Sequence, residues 1–330
     1  MSLVSWALSA IAVAGLAAGP AKQPADAAEG TTPMERIPVI LDTDIGGDID
    51  DTWALGFLLR CPELDLRLVS VDTGNTTYRA RIVAKFLERA GRSDIPVAVG
   101  LRLSDEEQGQ AAWVRDYDLS RYPGTVHEDG VGALVDTIMG SEKPVTLICI
   151  GPMPNIREAL KREPRIAERT RFVGMHGSLR YGVLGAEGAV PECNVVSDVA
   201  AAQAVFTAPW IDMTITPLDT CGRVQLRGEG HLRIRDSQET IPRLIMENYR
   251  IWAGVHQWTN PDIESSVLFD TVAVHLAFSM DRLVMRETGI RVTDDGFTVE
   301  DPSARQLHCA VEWGDLAGYE AYLVDRLTTT

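Results

Sequence analysis

Five aspartates, Asp42, Asp44, Asp48, Asp50 and Asp51, fall within ten residues of this 330-residue chain. Carboxylates crowded so tightly repel one another by on the order of several kcal/mol in a partly desolvated site. A bound cation is the direct remedy. With no His or Cys beside them, hard oxygen donors favour Ca²⁺ or Mg²⁺ over zinc or copper, and a shell of several oxygens suits calcium better. The plainer account is an Asp-rich loop in which Asp50 or Asp51 caps the helix that follows. An EF-hand fails on spacing: with Asp42 first, Gly47 takes the sixth position but Trp53 stands at the twelfth, where a bidentate Glu belongs.

The elements around these carboxylates follow from the apolar pattern. Ile37 to Leu41 reads as a buried strand that ends at the acidic turn, and Trp53, Ala54, Leu55, Phe57, Leu58 and Leu59 open a helix. Further strand-like runs cover 66–71, 95–99, 145–150, 170–175 and 212–216, with helical stretches at 80–90, 131–139, 155–162 and 198–206 between them. This alternation predicts an α/β fold: a mainly parallel central sheet with helices on both faces, open and Rossmann-related, with ligands outside the carboxyl ends of the strands. The segment 242–255 has helical spacing, and 283–330 holds several strand-like runs and a final helix.

The stretch from Leu41 to Leu55 resembles the N-terminal signature of the nucleoside hydrolases, the inosine-uridine-preferring N-ribohydrolase family, in a longer form with an extra pair of residues before the final Asp-Asp. Later segments resemble the family's in order. They are Gly74-Asn75, His127-Glu128-Asp129-Gly130, Gly151-Pro152-Met153-Pro154-Asn155, Gly174-Met175, Glu192-Cys193-Asn194 and Phe269-Asp270. The resemblance implies a Ca²⁺ site made by Asp44, Asp51, the Ile150 carbonyl and Asp270, with Asp44 activating a metal-bound water. It also implies a pentose held by Asp50, Asn194 and Asp270 beside Met175, with Glu192 gripping hydroxyls. Asn75 either joins the site or caps the next helix, and His127 either faces the ligand or is structural.

Two departures from the family pattern bear on the leaving base. Phe269 stands where its inosine-uridine members carry His, and Ala186 stands where they carry an Asn six residues before the Glu. Help for the departing base then falls to His127 or His256, or to stacking on Trp113, Trp252 or Trp258. Trp252, His256 and Trp258 could equally be the edge of a core-facing helix.

The expected activity is hydrolysis of the N-glycosidic bond of a ribonucleoside or related pentoside. One alternative is a non-enzymatic homologue that binds calcium and a pentose. Another is a Mg²⁺-dependent phosphatase with Asp42 as nucleophile and Asp44 as acid, although Gly46 departs from that pattern. Bulk composition narrows the partners further. A net charge of −16 argues against nucleic acid, and 45% hydrophobic residues suffice for a large core. Residues 1–28 read as an export signal with a small-residue cleavage site near Ala25-Asp26-Ala27, 29–35 as a linker and 36–330 as one domain. The expected protein is thus exported, without stable membrane association once the signal is removed, and compatible with a homo-oligomer. Five scattered cysteines with no Cys-x-x-Cys pair read as free thiols.

Overall fold

Strand β1 (Ile37–Thr43) runs through the middle of the sheet, between β2 (Leu64–Val71) and β5 (Val145–Cys149), and pairs in parallel with both. The computed structural model of the chain describes residues 35–257 and 259–329. The export segment, all but the last residue of the linker, and Trp258 lie outside the described residues. The other strands are β3 (Val97–Val99), β4 (Val126–His127), β6 (Thr170–Met175), β7 (Asp212–Thr216), β8 (Leu283–Val292), β9 (Thr298–Glu300) and β10 (Gln306–Trp313). They form a single ten-stranded sheet in the order β4-β3-β2-β1-β5-β6-β7-β10-β8-β9. Only β8 runs against its neighbours, pairing antiparallel with β10 and β9.

The helices are α1 (Asp50–Leu58), α2 (Thr76–Arg89), α3 (Ala111–Val114), α4 (Gly130–Gly140), α5 (Pro154–Arg162), α6 (Cys193–Ser197), α7 (Val199–Thr207), α8 (Gly228–Arg235), α9 (Thr240–His256), α10 (Phe269–Leu276) and α11 (Leu316–Thr328). Successive side chains of a strand point to opposite faces. Val39 and Leu41 of β1 accordingly pack with Trp53, Phe57, Tyr249 and Val272 on one face, and Ile40 packs with Leu147, Leu134 and Ile156 on the other. A strand covered on both faces needs the near-continuous apolar run that β1 and β5 have.

Because β1, β2, β5, β6 and β7 are all parallel, their carboxyl ends emerge along one edge. Asp42 sits opposite Cys149, Cys149 opposite Gly174, and Met175 opposite Thr216. The acidic turn, Ile150 and Met175 are brought side by side in this way. The mainly parallel α/β architecture is as the apolar pattern predicts. The third strand is shorter, and the edge strand β4 was not foreseen, since two residues carry no periodic signal.

Residues 100–125 form an excursion, but it divides its labour. Glu106, Glu107, Gln108 and Gly109 line the cavity described below. Trp113 and Tyr122 instead point into the core, where Trp113 packs near Phe86 and donates its indole N–H to Glu247 at 3.0 Å. Trp113 is therefore not a stacking platform for a base.

Candidate active site

The carboxyl ends of the strands border a cavity of about 980 Å³. Asp44, the first residue past β1, projects into it with 26% of its side chain exposed, 3.8 Å from the guanidinium of Arg79. Asp50 and Asp51 occupy the first turn of α1, and Asp270 the first turn of α10, which packs against α1. Helix N-termini favour negative charge, which explains why the acids can cluster there. All three are buried, and one carboxylate oxygen from each lies within 4.8 Å of the others.

Burial first, and neighbouring carboxylates next, push Asp50, Asp51 and Asp270 well above the ordinary carboxylate range. Burial also raises Asp44, with Arg79 opposing it. The Thr43 hydroxyl donates to Asp51 at 2.5 Å. An all-oxygen cluster with so little positive charge against it fits a hard divalent ion.

Gly151 allows β5 to come this close: a Cβ there would lie 2.9 Å from the Asp44 amide nitrogen. Ile150 borders the cavity, and its carbonyl accepts from Asn194 Nδ2 at 3.1 Å. The same Nδ2 donates to the Met175 carbonyl at 3.1 Å and approaches Met175 Sδ at 3.3 Å. Asn194 thus ties the tips of β5 and β6 together. Glu192 caps α6, accepting from the amides of Asn194, Val195 and Gly177, while burial pushes its carboxyl up to about 7. Trp252, Val255 and His256 at the end of α9 supply the opposite wall, with the Trp252 and His256 rings 4.4 Å apart. Phe269 also lines the cavity.

Two expected site residues are not brought in. Asn75 is the N-cap of α2: its Oδ1 accepts from the Tyr78 amide at 3.1 Å and its Nδ2 donates to the Asp105 carbonyl at 3.0 Å. Its amide is consumed in joining the helix start to the excursion, and Asn75 is outside the cavity lining. His127 sits on the edge strand β4, three strands away from β1, and is likewise outside the lining. The chain turns straight from β4 into α4, capped by Asp129, so nothing carries His127 inward.

Behind the cavity lies a buried layer that sequence reasoning did not anticipate. Asp42 and Asp72 are both fully buried. Asn155 Nδ2 donates to Asp42 Oδ1 at 3.0 Å, Ser70 Oγ at 3.1 Å and the Val71 carbonyl at 3.2 Å, while its Oδ1 accepts from the Leu101 amide at 2.9 Å. Burial pushes Asp42 up to about 6 despite the Asn155 bond, and burial with the nearby Asp42 charge pushes Asp72 well above the ordinary carboxylate range. Asp42 is fully buried and outside the cavity lining, which leaves a phosphoryl group no access to it as a phosphatase nucleophile. Asn155→Ala strands several buried partners at once and is expected to cost about 2–3 kcal/mol. A lowered urea midpoint at unchanged slope would register it. Arg79, the other residue missed, gave no signal because a lone Arg on an amphipathic helix is ordinarily solvated.

The chain resembles known proteins in both sequence and fold. The chain is 26% identical over 276 residues to the probable uridine nucleosidase 2 of Arabidopsis thaliana, covering 80% of this chain and 84% of the relative. It is 27% identical over 284 residues to the pyrimidine-specific ribonucleoside hydrolase RihA of Citrobacter koseri, covering 80% and 88%. Its fold matches that of a plant nucleoside hydrolase with a TM-score of 0.75 at 22% identity, covering 90% of this chain and all of the other. The profile of the inosine-uridine preferring nucleoside hydrolases matches residues 39–320, and the chain belongs to that family of N-glycosyl hydrolases.

Proposed function

We propose that the protein hydrolyses the N-glycosidic bond of a ribonucleoside to free base and pentose, with a divalent cation, calcium by preference, as its cofactor. The observation that carries this reading is the meeting of Asp44, Asp50, Asp51 and Asp270 at the floor of one cavity that also has an aromatic wall. Asp44, Asp51, Asp270 and the Ile150 carbonyl are the oxygens that would hold the ion. Once bound, it supplies positive charge that lowers the pKa of a water and neutralises the cluster.

The chain's own residues account for the remaining steps. Asp44, partly exposed to the cavity, accepts the proton of the attacking water on a carboxylate oxygen. Arg79 steadies that carboxylate. Asp50 and Asp270 accept from ribose hydroxyls, and Asn194, whose Nδ2 is already committed, contributes through Oδ1. Met175 lies beside the sugar. Holding the glycosidic carbon against the Asp44 side of the cavity contributes through orientation, which alone can be worth about 7–11 kcal/mol in well-oriented systems. The base rests against Val255 and the half-buried His256 ring, which is backed at 4.4 Å by the buried ring of Trp252.

Reducing-sugar release from a nucleoside panel, with and without chelator, tests the reading directly. Calorimetric binding of nucleosides without any release of base would favour the non-enzymatic alternative instead. Since Phe269 cannot give up a proton, His256 on the wall beside the base is assigned as its proton donor. His256→Ala is expected to reduce kcat for natural nucleosides by about 10²-fold, and to change hydrolysis of p-nitrophenyl riboside, which needs no protonation, by less than about 3-fold. Equal loss on both substrates would reject the acid role.

A further inference from the structure

The acidic turn between β1 and α1 is held from outside by side chains of other elements. Each of the four consecutive carbonyls between Asp44 and Ile49 is taken by a different side chain. The Ile45 carbonyl accepts from Arg79 Nη1 at 2.9 Å, Gly46 from the Tyr78 hydroxyl at 3.1 Å, Gly47 from Trp252 Nε1 at 2.8 Å and Asp48 from Gln110 Nε2 at 3.1 Å. These donors come from α2, from the residue before α3, and from α9. They are also joined to one another: the Tyr78 hydroxyl accepts from the Gln110 amide at 3.0 Å, and Gln110 Nε2 also reaches Thr52 Oγ1 at 3.3 Å.

Tyr78 and Gln110 are buried and neither borders the cavity, so any effect they have on its chemistry must travel through the loop. Tyr78 packs so closely on the turn that a Cβ at Gly46, which has φ +113°, would lie 2.8 Å from its ring. The physical need is clear. The five residues between Asp44 and the Asp50 and Asp51 pair, flanked by and carrying charges that repel, would spread apart unless their backbone were fixed from outside. Hydrogen bonds behind a set of ligands that fix their direction are as much a part of a metal site as the ligands.

We propose that Tyr78 and Gln110 are positioning residues that hold the 45–48 loop in the shape that lets Asp44 and Asp51 face the same cation as Asp270. The proposal rests on the metal-dependent reading of the cavity. Loss of either anchor acts first on metal affinity and only through it on turnover.

Calorimetric titration of Ca²⁺ into the chelator-treated full chain tests this, using Tyr78→Phe, which removes one hydroxyl, and Gln110→Leu. Tyr122→Phe is the control. It deletes a buried hydroxyl bonded to the Ile95 carbonyl at 2.7 Å, outside the cavity lining. The expected result is a Ca²⁺ Kd weakened by about 10-fold or more in both loop variants and by less than about 2-fold in the control. Turnover by both loop variants should recover as Ca²⁺ is raised, with KM for nucleoside within about 3-fold of wild type. Wild-type affinity in both loop variants, or an equal weakening in Tyr122→Phe, overturns the proposal while leaving the metal-dependent reading intact. Should Tyr78→Phe fail to fold, Gln110→Leu decides by the same criterion. Absence of Ca²⁺ binding in the wild-type chain overturns both.

Discussion

Asp44→Asn is expected to lower kcat by about 10³-fold or more while the fold survives. General-base catalysis alone is worth about 10²–10⁴-fold, and the substitution also removes one of the charged oxygens assigned to the ion. The side chain is partly exposed, its ion pair with Arg79 spans 3.8 Å, and its charge repels Asp50, Asp51 and Asp270. Neutralising it therefore costs little stability and relieves crowding in the metal-free protein. The measurement is steady-state kinetics on a cleaved nucleoside, paired with thermal melts in chelator. A variant that keeps more than about a tenth of wild-type kcat would remove Asp44 from the role of base.

Chelation is expected to abolish turnover and to make stability depend on pH with a definite sign. The carboxyls of Asp50, Asp51 and Asp270 titrate higher in the folded chain than in the unfolded one, chiefly through burial. Between the unfolded pKa, near 4 for Asp, and the raised folded values, the native state holds more protons than the unfolded state. Unfolding free energy must then fall as pH rises through that window. In chelator, Tm should drop by about 5 °C or more from pH 5 to pH 8, since each kcal/mol moves a domain of this size class by about 2–4 °C. Ca²⁺ compensates the same charges, so it should flatten this slope. At about 100 times its Kd it should also add about 2.7 kcal/mol at pH 8. A Tm at pH 8 that ignores both chelator and Ca²⁺ would show that the cluster holds no ion.

Glu192 also titrates high, but its circumstances differ. Burial raises it while three backbone amides pull the other way, and its oxygens are occupied in starting α6. Its first duty is to shape the loop that presents Asn194. The Asn155 layer acts in a similar way one level deeper, holding Asp42 so that β1 ends in register with β2 and β5.

How far the site could be read in advance depended on whether a residue's position follows from its place along a strand. Asp44, Ile150 and Met175 were named through the resemblance, and the strand pattern supported them because each lies at the carboxyl end of a parallel strand and such ends share an edge. Asp270 was reachable only through resemblance, since it lies more than 200 positions from the acidic turn and nothing local links the two. For Asn75 and His127 the structure takes the second of the two readings the sequence left open. Both follow strands in the expected order, but the first was already consumed as a helix cap and the second sits at the sheet's edge.

By itself, the sequence determined the layered α/β architecture, the family, and the presence of a crowded carboxylate turn at a strand tip. These follow from apolar periodicity and from charge spacing, which are properties of neighbouring residues. Only the tertiary structure decided which groups face the cavity, that Asp42 is buried outside its lining, and that Arg79, Tyr78, Gln110 and Trp252 hold the four carbonyls of residues 45–48. Those contacts join positions up to 205 residues apart. Their geometry is set by how helices settle on the sheet, and no local pattern encodes it.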